Sequence, residues 1–460
     1  MINFKRKEVQ KMKKKKVVPR NTNQYQYLAS EYIVKDKDLQ LDHFSHMANN
    51  LYNAALYQLR QQWIKKRQWK SYPWLNRLFK RKYEQRENML YASFPYRQSA
   101  QQTLREVDTI WNAWSKALKA YRKHPEKFSG KPQMPRYLIP GKRHVFYVTS
   151  QNLKVVDHYL IIRTRNRSID FKLRLAPEIK NIKRVVFKPL SKGYFKVIVQ
   201  YATNKQIAYK PDNGRYLGID PGLDNAFTCV VNDNTVQPLI ISGRSVKSVN
   251  QFYNKQIAKL NHYHAQNHQC FVTKGTKQGS KKLYYFSRKQ QRLTDWRNAK
   301  IRSFCHQASK RIIDYALNND INTIIIGKNK NQKRSINLGK KTNQNFVGIP
   351  HARMINLIKY KANLQGITVI MTNESYTSQT SFLDHELPIR QNGNVQRQKK
   401  GLTPAVRRIK RGLFKTNQSI LINADVNGAL QIIKKVFPKV SFTDGIAGAV
   451  LRPVKISLTC

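Results

Sequence analysis

The chain has 460 residues, 40% of them hydrophobic and 11% aromatic, enough for several domains with real cores. Its 86 Lys and Arg against 25 Asp and Glu leave a formal charge of +61, which a compact fold tolerates when a polyanion neutralises it, and nucleic acid is the natural one. No apolar run nears the roughly 18 residues of a membrane-spanning helix, the basic start MINFKRKEVQKMKKKK lacks the apolar stretch of a signal peptide, and Cys229, Cys270, Cys305 and Cys460 lie far apart with no CxxC, which excludes a sequence-local zinc ribbon and gives no sign of a disulfide framework.

Residues 1–24 read as a basic arm. A strand candidate at Tyr25–Val34 is followed by helical signal from Leu41 to about Lys123. There apolar residues recur at three and four spacing in HMANNLYNAALYQLRQQWIKK and RQSAQQTLREVDTIWNAWSKALKAYRK. Pro and Gly in HPEKFSGKPQMPRYLIPGKR (124–143) end the helices. Alternation in FYVTS, LKVVDHYLIIRTR, IDFKLRL, KRVVFKPL and GYFKVIVQYAT then predicts strands to about Thr203. The expected architecture is a small β-barrel at 25–41 and 126–210 carrying a helical insert at 42–125.

PDNGR (211–215) is a turn, and a new pattern follows. YLGIDPG, AFTCVVN and VQPLIISG predict a three-strand meander, and helices are expected at 246–266 and 281–319. INTIIIG (321–327) is an apolar strand, HARMINLIKYKANLQ a helix and GITVIMTNE a strand. NADVNGALQIIKKVF is a helix with Asn and Asp at its start. The order β-β-β-α-β-α-β-α is that of the RNase H superfamily. The predicted fold class is therefore multidomain, α/β plus α+β, with an RNase H-like domain at 211–374 and 419–436. A basic insert at 375–418 interrupts that domain, and 437–460 is expected to be a C-terminal tail.

Residues 216–460 contain only eleven carboxylates. Nucleases of this superfamily hold two divalent ions about 4 Å apart between carboxylates. Mg²⁺, with Mn²⁺ as a substitute, suits such oxygen ligands. Asp220 ends the strand of YLGIDPG just before a Pro-Gly turn, where it is either a metal ligand or a turn former. Asp425 opens the helix of NADVNGALQII, as a ligand or as an acid complementing the helix dipole. The strand INTIIIG ends in Gly327-Lys328-Asn329 without an acid. The next strand ends in Glu374, which either reaches the same ions or is a surface acid.

Four segments resemble the TnpB family, RNA-guided endonucleases encoded by insertion sequences and ancestral to compact type V CRISPR effectors. They are GIDPGLDNAFTCV (218–230), RNAKIRSFCHQASKRIIDYA (297–316), SYTSQTSF (375–382) and NADVNGALQII (423–433). The resemblance covers about 215–436 and extends more loosely over 25–210 through the order of elements and GKPQMPRY (130–137). It implies a RuvC nuclease domain with Asp220 and Asp425 as Mg²⁺ ligands. It also implies a wedge-like barrel and helical recognition insert that hold a guide RNA–target DNA heteroduplex with its displaced strand and read a short motif beside the target. Base pairing would read the sequence and the protein the shape. The setting implied is a prokaryotic cytoplasm, on the nucleoid through DNA.

Two departures from the family pattern stand out. The Glu usual after the fourth strand is missing, and so is the zinc ribbon that usually follows YTSQT. Family members of this kind carry their Glu before YTS, which implies Glu374 as the third metal ligand. The insert at 380–418 is then expected to hold no structural zinc, and Lys328 and Asn329 to face the site. Two alternatives share the architecture. One is an RNA-guided DNA-binding protein without cleavage activity. The other is a DNA transposase of the same superfold, which would place a Glu where this chain has Asp425.

Overall fold

The computed structural model describes residues 26–36, 40–85, 90–91, 94, 96–163, 170–203, 207–267, 270–273, 281–284, 287–328, 344, 348–375, 377–386, 408–410 and 412–460. The basic arm, Asn329 and the middle of the 375–418 insert lie outside the described residues. The chain forms two compact units, Met1–Gln206 and Ile207–Cys460.

The first unit contains β1 (Gln26–Lys35), α1 (Gln40–Lys66), α2 (Tyr72–Glu84), α3 (Arg97–Lys123), β2 (Phe146–Thr149), β3 (Lys154–Val156), β4 (Tyr159–Arg163), β5 (Asp170–Arg174), β6 (Ile182–Pro189) and β7 (Tyr194–Thr203). Its strands pair into two antiparallel sheets, β1-β7-β6-β2 and β3-β4-β5. Phe187 joins them: Phe146 stacks on it at 4.7 Å and Phe171 meets it edge-on at 5.3 Å. Among the described residues the hydrogen bonds do not close into the expected barrel. Alternation reports which face of a strand is buried, but not which strand lies beside it.

Nor do the helices make a separate body. One apolar core runs from α1 and α3 into the strands, and Glu106 on α3 receives the Tyr147 hydroxyl of β2 at 3.2 Å.

The second unit contains β8 (Tyr216–Asp220), β9 (Asn225–Val231), β10 (Leu239–Ser242), α4 (Arg244–Gln266), β11 (Cys270–Thr273), β12 (Lys281–Tyr284), α5 (Arg288–Asn318), β13 (Thr323–Gly327), α6 (His351–Leu364), β14 (Thr368–Thr372), β15 (Leu413–Lys415), β16 (Leu421–Asn423), α7 (Ala424–Val436), α8 (Ile446–Val450) and β17 (Val454–Ser457). Its six-stranded sheet has the order β14-β13-β8-β9-β10-β17. β8, β9 and β10 form an antiparallel meander, and β13 and β14 run parallel to β8.

Two expectations are corrected here. The helix expected from 281 begins at Arg288, preceded by the β11–β12 hairpin. A capping box starts it: Ser287 Oγ accepts from Gln290 N, and Gln290 Oε1 accepts from Ser287 N. Residues 437–460 are not a trailing tail, because β17 pairs in parallel with β10 and extends the sheet. A four-residue edge strand carries too short a pattern to be read locally.

Helices cover both faces of the sheet. Leu217, Ile219, Cys229 and Ile324 pack against α5 and α6, whereas Val230, Ile325 and Ile240 face the side of α7. Gly218 is what lets α7 lie against β8, since a Cβ there would stand 2.4 Å from the Ala429 carbonyl oxygen and 2.7 Å from Ile433 Cγ1.

Candidate active site

Ile219 on β8 pairs with Ile326 on β13, and Gly327 pairs with Thr372 on β14. The three parallel strands therefore end at nearly the same level. Asp220 is the last residue of β8, and Glu374 lies two residues beyond the end of β14. The carboxyl end of parallel strands is where sheets of this kind commonly receive ligands.

Asp220 points at α7. A Cβ on Gly428 would sit 2.9 Å from Asp220 Oδ2, so the bare glycine makes the room. Asp425 lies three residues before Gly428, on the same side of the helix. The side chain of Asn423 caps α7, accepting from Asp425 N at 3.0 Å and Val426 N at 3.2 Å. Asp425 Oδ2 accepts from Asn225 Nδ2 at 2.8 Å.

At the end of β13, a Cβ on Gly327 would stand 3.0 Å from Glu374 Cβ and 3.3 Å from Glu374 Oε2. The side chain of Glu374 thus crosses the space that a side chain at 327 would fill. The bare strand end and the acid on the neighbouring strand are sterically complementary.

The electrostatics agree with this convergence. Asp220 keeps some accessible surface, yet its carboxyl is pushed well above the usual carboxylate range, by burial first, then by Glu374 and Asp425; Arg408 opposes the rise. As the side chains stand, no group of three or more His, Cys, Asp or Glu among the described residues has closed metal-site geometry. The donor set still fits a divalent ion, since carboxylates supply the hard oxygens that Mg²⁺ takes. Beside them, the buried Oδ1 of Asn225 meets no donor among the described residues.

The chain after Glu374 is fastened to the helix that carries Asp425. Asn427 accepts from Phe382 N and donates to the Thr380 carbonyl, both at 2.8 Å. Lys435 Nζ donates to the Ser375 carbonyl at 2.9 Å. The two ends of the insert are structured as well: Phe382 and Phe414 pack in the core beside α7, and the Asp384 carboxylate accepts from Asn417 N. Lys328 follows β13 as an exposed residue. Reading along the sequence passes over Asn225 and Gly428, whose only local signal is a polar or bare position beside or inside an otherwise apolar element.

Two expected results follow from this packing. In chelator, Asp220→Asn should melt higher than the unmutated protein at neutral pH. The folded carboxyl titrates above its unfolded value, so the folded state keeps a proton that the unfolded chain has released. Stability is therefore present at low pH and lost as pH rises through the folded-state pKa. A neutral Asn escapes that loss, and a chelator melting series from acid to neutral pH should show the gap opening upward. Gly428→Ala should leave melting unchanged or raised by up to about 1 kcal/mol, because Ala suits a helix interior better. It should nonetheless slow any reaction that depends on Asp220, roughly 10- to 100-fold, by displacing that carboxylate.

Residues 198–333 match the family model OrfB_IS605, described as a probable transposase, and residues 351–432 match the Cas12f1-like TNB domain. No curated protein matches the chain. Among solved structures, the Cas12f1-sgRNA-target DNA complex is 13% identical with a TM-score of 0.33, covering 88% of this chain and 98% of that one. The mini-RNA-guided endonuclease CRISPR-Cas_phi3 is 9% identical with a TM-score of 0.42, covering 94% of each chain. CasPhi-2 (Cas12j) bound to crRNA is 9% identical with a TM-score of 0.40, covering 90% of this chain and 98% of that one. These structural similarities are too distant to assign chemistry. The first family model runs from the end of the first unit into the second and takes in Asp220, and the second takes in Glu374 and Asp425; over these two stretches the chain is similar to OrfB_IS605 transposases and to the Cas12f1-like TNB domain.

Proposed function

We propose that this chain is an RNA-guided DNA endonuclease whose RuvC-type site is Asp220, Glu374 and Asp425. The observation that carries the reading is the meeting of these three acids at one end of the sheet, in a unit with so few. The strand order supports it: a three-strand antiparallel meander flanked by two strands parallel to its first is the arrangement expected of an RNase H-like fold. Two Mg²⁺ ions bound there would activate the attacking water and stabilise the leaving 3′ oxygen. The protein's share is to hold the carboxylates level, through β8, β14 and α7, and to fasten the chain after Glu374 to α7.

The first unit, read as wedge and recognition parts, would hold the guide–target heteroduplex. Its surface suits that role. Trp69 is 37% exposed and stacks on Trp111 at 5.1 Å, and exposed Tyr137 lies under the guanidinium of Arg60 at 4.8 Å. Aromatic faces among cations stack bases and draw phosphates.

The test is to express the gene with its native flanking DNA, sequence the RNA that purifies with the protein, and reprogram that RNA against a plasmid library with randomised target-flanking sequence. Mg²⁺-dependent cutting beside one short motif is expected. Guided binding without cutting would instead establish the binding-only alternative.

Elemental analysis should find no stoichiometric zinc. Of the acids near His385, Asp384 is engaged by Asn417 N, and Glu386 Oε2 accepts from Ser381 N at 2.7 Å. Zinc lost on His385→Ala would overturn this.

A further inference from the structure

Asn225 opens β9 and is 8% exposed. Its Nδ2 donates to Asp425 Oδ2 at 2.8 Å. The amide cannot be turned the other way, because Oδ1 would then face a carboxylate oxygen, acceptor against acceptor. Oδ1 is consequently directed elsewhere, and it is buried with no donor among the described residues. A buried acceptor left without a donor is costly, and folds rarely keep one that does nothing.

Asn232 is the structural counterpart, one residue past the other end of the same strand and 6% exposed. It uses both ends of its amide: Oδ1 accepts from Tyr216 N at 2.7 Å, while Nδ2 donates to the carbonyls of Gly214 at 2.9 Å and Ser441 at 3.1 Å. Asn427, wholly buried, is likewise bonded at both ends. Asn225 differs from both in keeping one end unused at the carboxylate cluster.

The loop that delivers it is tight. Gly222 N bonds the Ala226 carbonyl at 3.3 Å, Gly243 N bonds the Asp224 carbonyl at 2.8 Å, and Asp224 pairs with Lys247. His351 Nε2 lies 2.8 Å from the Gly222 carbonyl oxygen. A Cβ on Gly222 would stand 2.5 Å from the Asn225 carbonyl oxygen, so the turn admits little else.

We propose that Asn225 is a positioning residue: its amide N–H fixes the Asp425 carboxylate, and its Oδ1 accepts a hydrogen bond from water carried by a divalent ion at the site. The inference rests on the metal-dependent reading above. Such outer partners orient a ligand and commonly change metal affinity about 10- to 100-fold when removed.

The test uses the purified protein with its bound RNA and Mn²⁺ as the probe, with free ion followed by electron paramagnetic resonance. The Asp220→Asn/Asp425→Asn double variant sets the background from RNA. Asn225→Ala should weaken the site-specific Mn²⁺ affinity about 10- to 100-fold with guided target binding unchanged. Asn225→Asp preserves size but sets a second carboxylate against Asp425. It should melt lower in chelator and recover more on adding Mn²⁺ than the unmutated protein does. Site-specific affinity within about twofold of normal in Asn225→Ala, or a Mn²⁺-induced rise in Asn225→Asp no larger than normal, overturns the inference alone. If the unmutated protein takes up no more Mn²⁺ than the double variant, the metal-dependent reading falls and this inference with it.

Discussion

Glu374→Gln is expected to abolish guided DNA cleavage as fully as Asp220→Asn or Asp425→Asn, a loss of about 10²–10³-fold or more, while RNA retention and target binding stay intact. Two acids alone leave a two-ion site short of oxygen ligands, and the strand beside β8 ends in Gly327 and Lys328. A charged lysine has donors only and cannot ligate a cation. Glu374 lies on the next strand, yet its side chain runs over Gly327 at 3.0 Å from where a Cβ there would be, and it raises the titration of Asp220. Gln keeps the size and polarity of that side chain and removes the negative charge, so folding should survive. Cleavage at a near-normal rate by the Glu374 variant would remove it from the site. A useful companion is Gly327→Ala, whose new methyl would crowd Ile432 Cδ1 at 2.6 Å as well as Glu374; its loss of cleavage should exceed its loss of stability.

The second large effect is expected from salt. With +61 formal charges, the purified protein should carry RNA, and its affinity for DNA should fall about 10³–10⁵-fold between 50 and 200 mM salt if six to ten phosphates are neutralised. Binding titrations at four or five salt concentrations give the slope directly. A flat dependence, or a protein that purifies free of nucleic acid and binds neither RNA nor DNA at moderate salt, would contradict the reading of its charge. Losing single Lys or Arg contacts should lower the slope by about one each and weaken all sequences alike, because phosphate contacts carry no sequence information.

Much of this protein was legible in the chain itself, because the deciding interactions are local. Leu217 and Ile219 alternate with Gly218 up to an acid and a Pro-Gly turn, so a buried strand ending in Asp220 follows from period and turn chemistry alone. Asn423 two residues before Asp425 announces a helix start, and the cap is made as the residue types require. The charge excess points to a polyanion whatever the fold. Long-range pairing decided the rest. That β13 and β14 end level with β8 depends on register between segments far apart in the chain, Leu217 with Ile324 and Ile324 with Val369. Only that register carries Glu374 over a glycine, and only the packing of α7 on the sheet makes Asn225 the partner of Asp425. The same holds for the first unit, where alternation marks the strands but packing around Phe187 sorts them into two sheets, and for β17, placed by the open edge of β10 rather than by its own four residues. A residue's periodicity reports its own burial. Which distant group it meets there is set by the packing of the whole core.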